Sequence, residues 1–280
     1  MPFLQTKDKT SLYYYDWGTG TPVVLIHGWP LTSASWESQA RVLAENGYRV
    51  IAHDRRGFGR SDWAATGYDY DTLASDVNDL MEALDLHGAT LVGFSMGGGE
   101  VARYLATYGS ARVDRAVLMS AVTPFLLQTE DNPDGVPKSV FDGIVDGLKK
   151  DRPAFLEAFG KGFYGYGVLN HTVSTAMLDF TQAMALTASP DATIRLVRAW
   201  SETDFRKDLA AIDVPTLVIH GTKDATVPIE VSGALAAKLV PHAKLLEYVG
   251  EPHGLYATAP DRVNKDLLEF LASPAANVVL

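Results

Sequence analysis

Gly93-Phe94-Ser95-Met96-Gly97 follows the apolar run Ala89-Thr90-Leu91-Val92 and opens into Gly98-Gly99-Glu100-Val101-Ala102-Arg103-Tyr104-Leu105. The first run reads as a buried strand and the last as a helix, so the pentapeptide is the turn between them. A serine that attacks a carbonyl must stand clear of the sheet, on a turn so tight that flanking side chains would collide. Glycine on both sides removes the collisions and tolerates the backbone angles. At the head of the helix, free N–H groups and the positive end of the dipole favour a developing negative charge. A Gly-x-Ser-x-Gly stretch also arises by chance in a chain with 24 glycines, where it is a plain turn before a core helix. The second half of the chain is what separates the two readings.

An alkyl hydroxyl needs a base to take its proton, and the base needs a carboxylate to hold its tautomer. In an open α/β sheet such groups sit on loops at the carboxyl ends of strands. Two places offer them. Pro215-Thr216-Leu217-Val218-Ile219-His220-Gly221-Thr222-Lys223-Asp224 is an apolar strand ending in a turn with an aspartate. Lys244-Leu245-Leu246-Glu247-Tyr248-Val249-Gly250-Glu251-Pro252-His253-Gly254 is a strand followed by a histidine. Each residue has a structural alternative: Asp224 as a turn former capping its own backbone, His253 as a solvated loop residue. Together with Ser95, in the order Ser, Asp, His, they read as a triad. The oxyanion needs two N–H donors. Met96, after the nucleophile, is one. Trp29, in the loop after Val23-Val24-Leu25-Ile26-His27-Gly28, is the other, since Pro30 has no N–H to give. His27 is read as ordering this loop.

These stretches carry a resemblance over nearly the whole chain. With Asp54-Arg55-Arg56-Gly57-Phe58-Gly59-Arg60-Ser61, Val92 to Gly99, Glu202-Thr203-Asp204-Phe205-Arg206 and the loops of Asp224 and His253, the sequence resembles the α/β-hydrolases of the cofactor-free bacterial haloperoxidase, aryl esterase and perhydrolase group. The resemblance implies Ser95, Asp224 and His253 as catalytic residues, and Trp29 and Met96 as oxyanion donors. It implies an acyl pocket lined by Phe125, Phe159, Phe163 and Trp200, with Trp29 and Pro30 beside it. It also implies no cofactor, a homo-oligomer, and a small ester or amide as substrate, with hydrogen peroxide as a second acceptor. Pro30 resembles the members noted for perhydrolysis; there it would turn the Trp29 carbonyl inward to accept a hydrogen bond from peroxide.

Apolar runs at residues 23–27, 50–53, 90–94, 116–119, 216–220 and 245–249 read as strands. Helical stretches at 35–45, 70–84, 230–239 and 260–271 separate most of them, and Leu12 to Trp17 reads as an antiparallel edge. This alternation predicts an α/β fold, a mostly parallel sheet covered on both faces; with the resemblance, it is the eight-stranded α/β-hydrolase sheet. Residues 1–122 and 207–280 are expected to form the core. Residues 123–206 break the alternation and are expected to form an inserted helical lid. There Phe155, Phe159 and Phe163 make one helical stripe, with Phe155 assigned to the lid's own packing. Asp54, Arg55, Arg56 and Asp62 are read as structural ion pairs and hydrogen bonds.

A formal charge of −10, from 34 acidic and 24 basic residues, argues against nucleic-acid binding. The chain has no cysteine, hence no disulfide and no thiolate chemistry. No histidine pairing has metal-ligand spacing, so no metal is expected. No run reaches membrane-spanning length and no leader pattern opens the chain; cytoplasm is the expected compartment. The expected function is hydrolysis of small carboxylic esters through an acyl-enzyme, with perhydrolase and cofactor-free haloperoxidase activity. A lactamase or amidase on the same triad and a non-catalytic binding protein of this fold are the alternatives. A dehalogenase or epoxide hydrolase would need a carboxylate where Ser95 stands.

Overall fold

The strands are β1 (Phe3–Gln5), β2 (Ser11–Trp17), β3 (Pro22–Ile26), β4 (Arg49–His53), β5 (Ala89–Phe94), β6 (Val113–Met119), β7 (Thr216–Gly221) and β8 (Lys244–Tyr248). They form one sheet in the order β1-β2-β4-β3-β5-β6-β7-β8. The β1–β2 and β2–β4 pairings are antiparallel and every pairing from β4–β3 onward is parallel. The computed structural model describes residues 2–273.

Parallel neighbours need long crossovers, and helices supply them. In chain order these are α1 (Glu37–Glu45), α2 (Tyr70–Ala83), α3 (Met96–Tyr108), α4 (Lys138–Phe163), α5 (Thr175–Leu186), α6 (Pro190–Glu202), α7 (Arg206–Ala210), α8 (Gly233–Leu239), α9 (Leu255–Thr258) and α10 (Pro260–Ala272). Alternation along a strand divides the core into two. Val24 and Ile26 of β3 join Leu73, Val77, Val101 and Leu209 on one face. Val23 and Leu25 join Ala40, Leu43, Val263 and Leu267 on the other. This is the α/β-hydrolase fold expected from the sequence, with eight strands and both faces covered.

Local departures have local causes. β1 is only three residues long and carries too little pattern to be read. The stretch 230–239 is not one helix: a 3-10 turn at Ile229–Val231 precedes α8, and Ser232 between them is non-helical (φ −132°, ψ −96°), its hydroxyl donating to the Pro228 carbonyl at 2.6 Å. Residues 33–36 likewise form a 3-10 turn before α1.

Between β6 and β7 the chain adds no strand to the sheet; α4 packs against α5 and α6. α4 is broken at Asp151 (φ −157°, ψ 88°), whose carboxylate accepts from the Ala154 N–H at 3.1 Å and starts the helix afresh, with Pro153 in its first turn. The Trp29–Pro30 and Thr123–Pro124 bonds are cis. No helix among the described residues is long and apolar enough to cross a membrane.

Candidate active site

The turn between β5 and α3 holds Ser95 at φ 53°, ψ −118°, a conformation that L residues rarely adopt. Glycine is required on either side. A Cβ at Gly93 would run into the Gly97 carbonyl, and one at Gly97 into the Ile26 carbonyl. The turn therefore exists only because both positions lack a side chain.

Ser95 Oγ lies 2.9 Å from His253 Nε2, and His253 Nδ1 lies 2.6 Å from Asp224 Oδ2. A carboxylate only accepts, so the proton sits on Nδ1 and donates to Asp224. Nε2 is left with its lone pair toward the serine hydroxyl. Asp224 Oδ1 accepts the backbone N–H groups of Thr226 (3.0 Å) and Val227 (2.7 Å). The turn-forming reading of Asp224 thus holds on one oxygen, while the other faces His253. Burial works to raise the Asp224 carboxyl. The facing His253 imidazole and the hydrogen bonds from His220 and His253 outweigh it and hold the group well below the usual carboxylate range.

His253 is braced by aromatic rings. Phe94 lies 5.1 Å away between centroids, and Phe163 of α4 meets the imidazole edge-on at 4.9 Å. The Gly254 N–H donates to the Phe163 carbonyl at 2.9 Å, tying the histidine loop to α4.

Ser95, Met96, Trp29 and His253 border a narrow cavity, with Phe159 and Trp200 on the α4–α6 side. Ser95 is 5% exposed and His253 1%. Met96 is the first residue of α3, where a backbone N–H has no intrahelical acceptor. The Trp29 loop is anchored from below. His27 Nδ1 donates to the Gly28 carbonyl at 2.8 Å, and His27 Nε2 accepts from the Arg55 N–H at 3.0 Å. Arg55 also donates to the His27 carbonyl and pairs with Glu100 of α3 in full burial. Burial pushes the Glu100 carboxyl up to about 7 against the pull of Arg55. The neighbouring charges are equally structural: Asp54 accepts from Ser33 and Arg60, Arg56 grips Asp76 and Asp8, and Asp62 accepts from the Ser11 N–H.

Two expected pocket residues stand elsewhere. Phe163 is not on the cavity wall; it lies one helical turn beyond Phe159 and sits against His253 and Phe94. Phe125 is buried under the Arg206 guanidinium, 5.4 Å from its ring centre, and Asn132 bonds its carbonyl. Pro30 is buried beside Trp29 without reaching the cavity wall. Phe155 stacks on Phe159 behind the wall. Val122, Thr226 and Val227 complete the cavity and were not foreseen. The signal for the last two was present: an aspartate that caps the N–H groups two and three residues ahead draws those residues toward its own site. Among the described residues, no group of three or more His, Asp or Glu side chains is placed to hold a metal.

The α/β-hydrolase fold family matches residues 21–260. A non-heme chloroperoxidase of Kitasatospora aureofaciens is 44% identical over 273 residues, covering 97% of this chain and 99% of that one. A bifunctional esterase/perhydrolase of Acinetobacter calcoaceticus is 43% identical over 276 residues, covering 98% and 100%. The crystal structure of a bromoperoxidase from Bacillus anthracis superposes with a TM-score of 0.94 at 47% identity, covering 97% of this chain and 99% of that one. With these relatives in the group that the sequence resembles, the chain belongs to the α/β-hydrolase family.

Proposed function

We propose that the protein hydrolyses small carboxylic esters through an acyl-enzyme on Ser95, and that hydrogen peroxide competes with water for that intermediate. The observation that carries the reading is the relay from Ser95 Oγ through His253 to Asp224, at 2.9 and 2.6 Å, beside a largely apolar cavity. His253 Nε2 takes the Ser95 proton as Oγ attacks the ester carbonyl. Asp224 stabilises the imidazolium, and the Trp29 and Met96 N–H groups receive the oxyanion, on the order of 3 kcal/mol per donor. His253 then protonates the departing alcohol. In the second half, water or peroxide gives a proton to His253 and attacks the acyl carbon. The C–Oγ bond breaks and the proton returns to Ser95, releasing acid or peracid.

The case for peroxide rests on relatives named for chloroperoxidase and perhydrolase activity. A peracid oxidises a halide in solution, with no bound redox group. Pro30 is assigned a part in acceptor choice through its restraint of the chain beside Trp29. Residues 123–206 are assigned the role of a lid: Phe159 and Trp200 close the cavity over a serine that is 5% exposed, and bulky substrates require that side to move. The scarcity of polar groups on the wall favours small, uncharged acyl groups.

The test is a panel of p-nitrophenyl esters, an amide and a lactam with water and peroxide as competing acceptors, run on wild type and Ser95→Ala. Ester turnover with peracid formation, both absent in Ser95→Ala, is the expected result. Binding without turnover would identify a non-catalytic binding protein. An unchanged peroxide-to-water ratio in Pro30→Leu would remove Pro30 from the account.

A further inference from the structure

Asp224 is shared by two histidines. Besides His253 Nδ1, its Oδ2 faces His220 Nε2 at 3.2 Å, and the same nitrogen lies 2.8 Å from the Val227 carbonyl. Both neighbours accept only, so the proton of His220 sits on Nε2 and is shared between them. The opposite nitrogen, Nδ1, is buried with no partner. Gly233, the first residue of α8, lies against it so closely that a side chain there would strike the ring. An aliphatic residue would fill this strand position without burying an unpaired nitrogen. What it could not supply is the Nε2 donor.

We infer that His220 is a positioning residue for acyl transfer: its Nε2–H holds the Asp224 carboxylate and the Val227 carbonyl in one bond, aiming Oδ2 at His253 and fixing Val227 on the cavity wall. This rests on the triad proposed above. Asp224 then faces four N–H groups: two backbone groups bonded to Oδ1, the His253 imidazole bonded to Oδ2, and His220 Nε2 at 3.2 Å from Oδ2. Without His220, Oδ2 keeps a single partner and the carboxylate is free to turn. The fourth donor also draws off part of the negative charge that faces His253. Its loss therefore strengthens the hold on the imidazolium and moves the acid side of the activity profile to higher pH. The titratable groups around this centre are Asp224, His220 and His253. Phe94 and Phe163 bring uncharged rings, and Lys223 and Glu247 of the adjoining loop and strand are exposed. Glu251 accepts from the Thr258 hydroxyl.

The experiment compares wild type, His220→Leu, His220→Gln and Ser95→Ala with p-nitrophenyl acetate across pH 5 to 9. His220→Leu is expected to lower kcat about tenfold, with a smaller change in KM, and to move the acid limb of kcat/KM up by about half a pH unit. His220→Gln, whose amide reaches the place of Nε2, should restore most of both. ¹⁵N NMR of the wild type should show His220 protonated on Nε2 and bare on Nδ1 around neutral pH. A folded His220→Leu enzyme with wild-type kcat and acid limb overturns the inference, and so does a proton on His220 Nδ1, which is read even if the leucine variant does not fold. Turnover surviving in Ser95→Ala would instead sink the triad itself. Loss of turnover there, with an unaffected His220→Leu, defeats the positioning role alone.

Discussion

The indole N–H of Trp29 donates to the carbonyl of Thr193 across 3.0 Å, joining the loop that carries the proposed oxyanion amide to α6 on the far side of the cavity. The same ring meets Phe159 edge-on at 5.2 Å and Trp200 at 6.0 Å. One side chain thus braces this loop against both helices, α4 and α6, that contribute to the cavity wall.

Trp29→Phe keeps much of the ring contact and removes the donor, breaking the tie to the Thr193 carbonyl. We expect a stability loss of about 1–2 kcal/mol in urea unfolding. We also expect a several-fold fall in kcat, because a loosened amide stabilises the transition state less while the acyl cavity stays largely intact. A variant with unchanged kcat would show that this tie does not support the oxyanion site.

His53, at the end of β4, is fully buried. Burial, reinforced by the charge of Arg55, pulls its imidazole down to about 4. The folded state therefore binds this proton less readily than the unfolded chain, where an ordinary histidine titrates near ~6.5. The contribution is whole above that value and is lost as pH falls toward 4. Glu100 and Asp76, raised to about 7 and about 6, act in the opposite sense. The variant difference isolates His53: between pH 6.5 and 4, His53→Leu should lose on the order of 3 kcal/mol less than wild type. Parallel pH–stability curves would contradict this.

Trp200 stands on the cavity wall between Trp29 and Phe141, and its Nε1 is buried without an acceptor. Trp200→Leu therefore forfeits no hydrogen bond and opens space. The ratio of kcat/KM for p-nitrophenyl hexanoate over acetate should rise about tenfold or more, as expected when a few methylenes gain room in an apolar pocket. An unchanged ratio would place the acyl chain elsewhere.

The elbow and both strand-end loops were legible because each is local. Gly93, Ser95 and Gly97 declare a backbone shape within five residues, and Asp224 and His253 follow apolar runs that could only be strands. The cavity wall was less so. Phe155, Phe159 and Phe163 share a helical stripe, but the break at Asp151 and the tilt of the following helix decide which ring meets the cavity, and periodicity carries no tilt. Only Phe159 does; Phe163, a turn later, reaches His253 instead. Phe125 is claimed by Arg206, 81 residues downstream, a pairing invisible to local pattern. His220 left no motif at all. Inside an apolar strand it reads as one more core residue, and only the fold brings it to Asp224.

The most direct measurement is intact-protein and peptide mass spectrometry after rapid mixing with p-nitrophenyl acetate and acid quench. The account predicts one acetyl group per chain, on the peptide containing Ser95. The label should form with the burst of p-nitrophenol, disappear faster when peroxide is added, and be absent from Ser95→Ala. Full turnover without a label on Ser95, or the same turnover in Ser95→Ala, would contradict it.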